Sequence, residues 1–218
     1  MKNNQLWRIV SVVEVVVAST VILLDLFIPT IVILGMIILS LLIRKESIAV
    51  LGFKKPTNFK AMVMFIFVAV VIWSLLQLGL FMPVLNHLTN TTQDISAYEN
   101  LHGNLGQLLF VLLLTWTLAA FGEEIVYRGY LQRRIGDVLG ENSVGILVSI
   151  GVSSILFGMA HTEQGVIGVI VTTLDAVFFS ALKRKYDNNL WAPILAHGTS
   201  NTIGLVAFFL VGPITGFW

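Results

Sequence analysis

An all-α, polytopic membrane protein with about seven transmembrane helices is the fold this sequence predicts. Three observations predict it. Of the 218 residues 56% are hydrophobic and 11% charged, against about a quarter charged in soluble domains. Mean hydropathy is +0.89, and the apolar residues fall in runs long enough to cross a bilayer. Such a chain lacks the polar surface that would coat a globule in water. The 13 basic and 12 acidic residues nearly balance, so no net field recruits nucleic acid, and no nucleic-acid partner is expected. Zero cysteines exclude disulfide frameworks, thiolate zinc sites and a cysteine nucleophile. One integral membrane domain over 1–218 is expected, with the lipid bilayer as its first partner.

A helix needs about 20 apolar residues to cross a hydrocarbon core roughly 30 Å thick. Such runs occupy 6–28, 29–43, 61–82, 105–122, 144–160, 165–182 and 190–211. Pro29 removes a backbone donor and clashes with the preceding turn, so 6–43 reads as two spans folded at Asp25–Thr30. The start at Lys2 looks like a signal peptide. Glu14 interrupts it, no clean cleavage site follows, and it is expected to stay as the first span. Leu51–Lys60 alternates apolar and basic residues and is expected along the inner interface, with Thr57 or Asn58 capping the third span. Loop 83–104, rich in Asn and Thr, reads as a solvated outer connection.

With the N-terminus in the cytoplasm, all 13 Lys and Arg fall in the inner segments 1–8, 44–60, 128–143 and 183–189. Segments 83–104 and 212–218 hold none. The positive-inside rule therefore predicts a multi-pass cell-membrane protein with its N-terminus inside and its C-terminus outside.

A charge at the bilayer centre costs at least about 2.5 kcal/mol, so ionisable residues within spans are functional candidates. Those here are Glu14, Asp25, Glu123, Glu124, Arg128, His161, Asp175 and His197. Asp25 lies near a turn and reads as interfacial, and Glu14 snorkels or pairs. Asp175 either lines a cavity or is a hydrogen-bonded structural acid.

Phe121–Arg134 (FGEEIVYRGYLQRR) differs from the rest. Two adjacent glutamates in an apolar helix cannot cheaply both be charged without a cation. Glu124 and Arg128 are spaced i,i+4 with the acid N-terminal, so they share a face in the favourable order. Glu123, rotated by about 100°, shares its face with Tyr127 and is left free to act as a general base. The bland alternative is that all three merely lock helices together. His197 and Asn201 are also i,i+4. They offer two neutral donors on one face, as a developing oxyanion requires, although a lone histidine in a helix is more often structural.

Together EEIVYR (Glu123–Arg128), FGMAH (Phe157–His161) and HGTSN (His197–Asn201) resemble the three motifs of the CPBP family. That family holds the CAAX prenyl endopeptidases and the bacteriocin-processing or immunity proteins, also called Abi proteins. The resemblance covers about 105–211, the expected catalytic core; residues 1–100 share only hydrophobicity. It implies an intramembrane endopeptidase of the glutamate type, acting on a peptide or a partner membrane protein. By similarity Glu123 and His161 would activate water, His197 and Asn201 would stabilise the oxyanion, and Glu124 and Arg128 would support them. No cofactor is expected. The chain lacks HExxH, yet Glu123, His161 and His197 could form a zinc set, which is not favoured.

The alternative is a non-catalytic bacteriocin immunity protein of the same fold; a transporter is weaker, since no repeat symmetry is visible. The compact size and the Asn/Lys-rich start look bacterial, and cleavage is expected near the inner leaflet. One difficulty remains at this level. In straight rods Glu123 stands about 15 Å above Arg133, His161 near the outer end of its span, and His197 a turn or two into its own. Convergence then requires tilted helices or a helix that begins deep inside a cavity.

Overall fold

The computed structural model describes residues 2–212, and every regular element among them is helical. α1 (Lys2–Leu23) and α2 (Pro29–Arg44) form a hairpin. α3 runs over Phe59–Thr89, α4 over Leu105–Leu139, α5 over Ser143–Met159, α6 over Gly165–Lys185 and α7 over Trp191–Val211. Five of these helices are long and apolar enough to cross a membrane, and Pro29–Arg44 and Ser143–Met159 are shorter apolar helices. The multi-pass expectation therefore holds. The expected outer placement of the C-terminal segment lies largely outside the described residues.

Local chemistry explains the ends. Pro29 sits in the first turn of α2, where its missing N–H costs nothing. Asn58, one of the two expected caps, accepts from the Ala61 N–H at 3.0 Å and starts α3. Apolar side chains such as Leu39, Leu42, Val144 and Leu147 point outward, as lipid-facing positions do.

α4 is the hub of the bundle. Its Val126, Tyr127, Tyr130 and Leu131 pack with Ala18 and Ile22 of α1, Ile33 and Ile37 of α2, Leu156 and Phe157 of α5, and Ile194 of α7. Met62, Ile66 and Val70 of α3 form a second cluster against Phe179 and Leu182 of α6 and Ala192 and Ala196 of α7. Below the hub, Glu14 meets Arg44 at 2.6 Å and the buried Arg134 at 3.2 Å, while Arg134 also reaches Glu46 and Asp137. Glu14 therefore pairs and ties α1 to α2 and α4. Asp25 is exposed in the hairpin turn, as expected of an interfacial acid.

Two expectations change. Residues 128–143 are not an inner loop, because α4 continues to Leu139 and buries Arg128. Segment 83–104 is not simply solvated: α3 extends into it to Thr89, a 3-10 turn forms at Ser96–Leu101, and Leu101 is fully buried. Gln93 Nε2 donates to Gln164 Oε1 at 2.7 Å, and the Asp94 N–H donates to the Gln164 carbonyl at 3.0 Å, so the segment is tied down onto the α5–α6 turn.

Candidate active site

The acidic motif lies on an unusual stretch of α4. Thr115–Glu123 and Ile125–Leu131, on either side of Glu124, are wound as π-helix, and the Gln132 N–H reaches back five residues to the Tyr127 carbonyl. Wide turns of this kind are rare and concentrate at functional sites. Within this stretch Glu124 is fully buried and Arg128 nearly so, and Arg128 Nη1 donates to Glu124 Oε1 at 2.9 Å. The pair expected from the i,i+4 spacing is present.

A second donor reaches the acid, whose Oε2 has no hydrogen-bond partner among the described residues. His197 Nδ1 donates to the same Glu124 Oε1 at 2.9 Å, which joins the middle of α4 to the second turn of α7. The carboxylate only accepts, so the proton sits on Nδ1 and Nε2 is the ring's remaining polar atom. His161 is fixed in the same sense, since its Nδ1 donates to the Phe157 carbonyl at 2.8 Å. Each histidine is thus anchored through one nitrogen and presents the other.

Phe157 is where the three motifs meet. Its ring centre lies 4.8 Å from that of His161, 5.8 Å from His197 and 5.0 Å from Tyr127. The Arg128 guanidinium sits over it at 4.5 Å. Phe179 closes the other side, stacked on His197 at 5.2 Å with the Arg128 guanidinium 5.5 Å from its ring. Cation–π contact partly replaces the hydration that a buried guanidinium loses. The depth difficulty resolves because α5 is short. Its 17 residues span about 25 Å, less than the bilayer core, so His161 at its end stays inside the bundle.

Two motif glycines permit this approach. A Cβ on Gly158 would collide with Thr173 Oγ1 and stand 2.6 Å from the Val169 carbonyl of α6. One on Gly198 would stand 2.5 Å from the Trp116 ring of α4. Only a residue without a side chain lets these helices touch there.

His161, His197 and Asn201 line one cavity of ≈ 220 Å³, together with Asp175, Tyr98 and Gln93. Glu123 is not among the lining side chains. It is half-buried, its Oε2 is a buried atom without a hydrogen-bond partner among the described residues, and its charge reaches Tyr98. Burial pushes the Tyr98 phenol up, and Glu163 and Glu123 add to the rise. Gln93, Ile95 and Tyr98 come from segment 83–104, so the cavity lies toward the end of the bundle opposite the basic segments. The short α5 and the folded-down segment set the cavity there, away from the basic end beside which cleavage is expected.

Asp175 meets both of its expected descriptions. It lines the cavity, and its Oδ1 accepts from Trp73 Nε1 at 2.6 Å and Gln77 Nε2 at 2.7 Å. Sequence reasoning missed Phe157 and Phe179 as organisers. Phe157 opens FGMAH and was within reach of the motif; Phe179 carries no local signal. Among the described residues no three of His, Cys, Asp and Glu lie close enough together to hold a metal ion, so Glu123, His161 and His197 do not fit zinc as they stand.

No curated protein and no solved structure matches the chain. One family model does: type II CAAX prenyl endopeptidase Rce1-like, over residues 105–203. The match runs from the start of α4 into the second half of α7 and takes in all three motifs. Over this segment the chain is similar to the Rce1-like type II CAAX prenyl endopeptidases, a likeness that takes in EEIVYR, FGMAH and HGTSN.

Proposed function

We propose that this chain is an intramembrane endopeptidase whose reaction takes place in the cavity lined by His161, His197 and Asn201. One observation carries the reading: both histidines are anchored at Nδ1 and share a single cavity with an amide donor. His161 Nε2 is a lone-pair acceptor for a water molecule, and Glu123 supplies the carboxylate that takes its proton. Catalytic contacts are often loose before substrate binds, so the set-back position of Glu123 is compatible with this role.

In the reaction, the water oxygen adds to the scissile carbonyl carbon while its proton passes to Glu123. The carbonyl oxygen becomes an oxyanion, held by the Asn201 side-chain amide, with His197 Nε2 donating to it once that nitrogen carries a proton. Glu124 orients the His197 ring through Nδ1–H and is itself shared with Arg128. Collapse of the tetrahedral species breaks the C–N bond. The proton on Glu123 passes to the leaving nitrogen, giving a carboxylic acid, which then loses its proton, and an amine, and returning Glu123 to its carboxylate. No step runs through a metal.

The substrate in this reading is a peptide or a partner membrane protein. By the distribution of Lys and Arg the cavity faces the outer half of the membrane. Glu123→Gln, expressed at normal level in the native host, should make uncleaved substrate accumulate, identifiable by mass spectrometry of membrane and medium fractions. An unchanged peptide profile would favour a non-catalytic immunity role.

A further inference from the structure

A second cavity, ≈ 530 Å³, lies at the opposite end of the bundle from the histidines. Its walls include Lys54, Gln132, Arg133, Glu141, Lys183 and Arg184. Its floor is built rather than open. The Leu190 N–H donates to the Gly52 carbonyl at 2.9 Å, and Asn189 Nδ2 donates to the Lys54 carbonyl at 3.1 Å. Gly52 has φ +104°, and a Cβ there would stand 2.6 Å from the Asn188 carbonyl, so this docking requires glycine.

The charges on these walls do not cancel. Arg133 is matched by Asp137 at 3.2 Å and Glu141 at 3.5 Å. The other three cations have only neutral partners among their hydrogen bonds. Lys54 donates to the Asp187 carbonyl at 2.7 Å, Arg184 to Asn188 Oδ1 at 3.0 Å, and Lys183 to the Arg128 carbonyl and to Gln132 Oε1. Lys183 is 8% exposed, and no carboxylate is among its hydrogen-bond partners. An anion entering the cavity would meet Lys54 and Arg184 and would favour the ammonium form of the buried Lys183.

We infer that this cavity binds the phosphate group of a phosphorylated ligand. A tetrahedral oxyanion presents several oxygens to donors arriving from different helices, and guanidinium and ammonium groups both suit it. A carboxylate offers only two oxygens for cations on three sides. The phosphate can be that of a soluble compound or of an anionic lipid headgroup, since the cavity lies where α6 ends in Lys183, Arg184 and Lys185.

The full-length protein tests this directly. In detergent, isothermal titration with inorganic phosphate reads the soluble source. Native mass spectrometry of protein released from nanodiscs of phosphatidylglycerol or phosphatidylcholine reads the lipid source. Lys54→Gln with Arg184→Gln, both exposed positions, should weaken phosphate binding or phosphatidylglycerol retention by roughly ten- to a hundredfold. Lys183→Met should weaken it at least as much, and Glu123→Gln should leave it unchanged. If Lys183→Met fails to fold, the exposed pair decides. Loss confined to the phosphate arm assigns a soluble ligand, and loss confined to the lipid arm a headgroup. No binding in either arm, or binding equal in wild type and the exposed pair, overturns the inference.

Discussion

Glu124 and His197 are joined by a 2.9 Å hydrogen bond from the ring Nδ1, on the same carboxylate oxygen that accepts from Arg128. One buried acid therefore serves as counter-ion to a guanidinium and as the orienting partner of a cavity-lining imidazole.

The two glutamates should separate in their effects. Removing Glu124 leaves Arg128 buried without its partner and frees the His197 ring, at about 3–5 kcal/mol for a broken buried pair. Glu124→Ala and Arg128→Ala should therefore lower both thermal stability and membrane abundance. Glu123→Gln keeps shape and burial, so abundance should stay near wild type while turnover is lost. Equal instability of all three variants would make Glu123 structural.

Asn201→Ala tests the oxyanion role. Loss of one donor to a developing oxyanion costs about 2.7–4 kcal/mol in the transition state, or roughly a hundred- to a thousandfold in kcat. KM should change little, since the bond strengthens mainly as charge develops. Wild-type kcat in this variant would remove Asn201 from the chemistry.

Gly158→Ala and Gly198→Ala add one methyl group each where α6 and the Trp116 ring already touch the backbone. Overpacking of this kind costs about 1–3 kcal/mol. Activity should fall further than stability does, because the displaced helices carry His161 and His197. Gly151→Ala, with nothing within 4 Å of its Cβ position, is the matched control and should behave as wild type.

Metal dependence is measurable on purified protein. Activity should survive prolonged treatment with strong chelators. Loss under chelation, recovery on adding zinc and a stoichiometric metal content would instead place Glu123, His161 and His197 around a metal.

Orientation is read by reporters inserted in the chain. One within 183–189 should report the cytoplasm, and one within 90–94, beside Gln93 of the cavity wall, the outer side. The reverse result would turn the cavity toward the cytoplasm.

Much of this molecule was legible in advance. Apolar run length found the apolar helices, five of them long enough to cross a bilayer and two shorter. Spacing of four found the Glu124–Arg128 pair, because helical geometry is local. Spacing also put His197 beside Asn201, and both line the cavity. What escaped was long-range. Nothing near Phe179 says that it will stack on His197, and nothing in 83–104 says that Gln93 will bond to Gln164 across 71 residues. Arg128 was counted with the inner loop because a tally of charges does not distinguish a snorkelling cation from one held by two aromatic rings.

The wide winding of α4 has a consequence for how this protein tolerates change. A wide turn holds more residues than an α-helical turn, so it behaves as a residue inserted into an otherwise ordinary helix. Adding one further residue between Trp116 and Ala120, where the wide turns already hold the extra chain, would rotate everything before it by about 100° relative to Glu124. Trp116 would swing away from Gly198, and the polar groups would keep their identities but lose their common centre. In this helix the count of residues is as much a part of the chemistry as their kind, and single-residue insertions should be tolerated far less well than substitutions at the same positions.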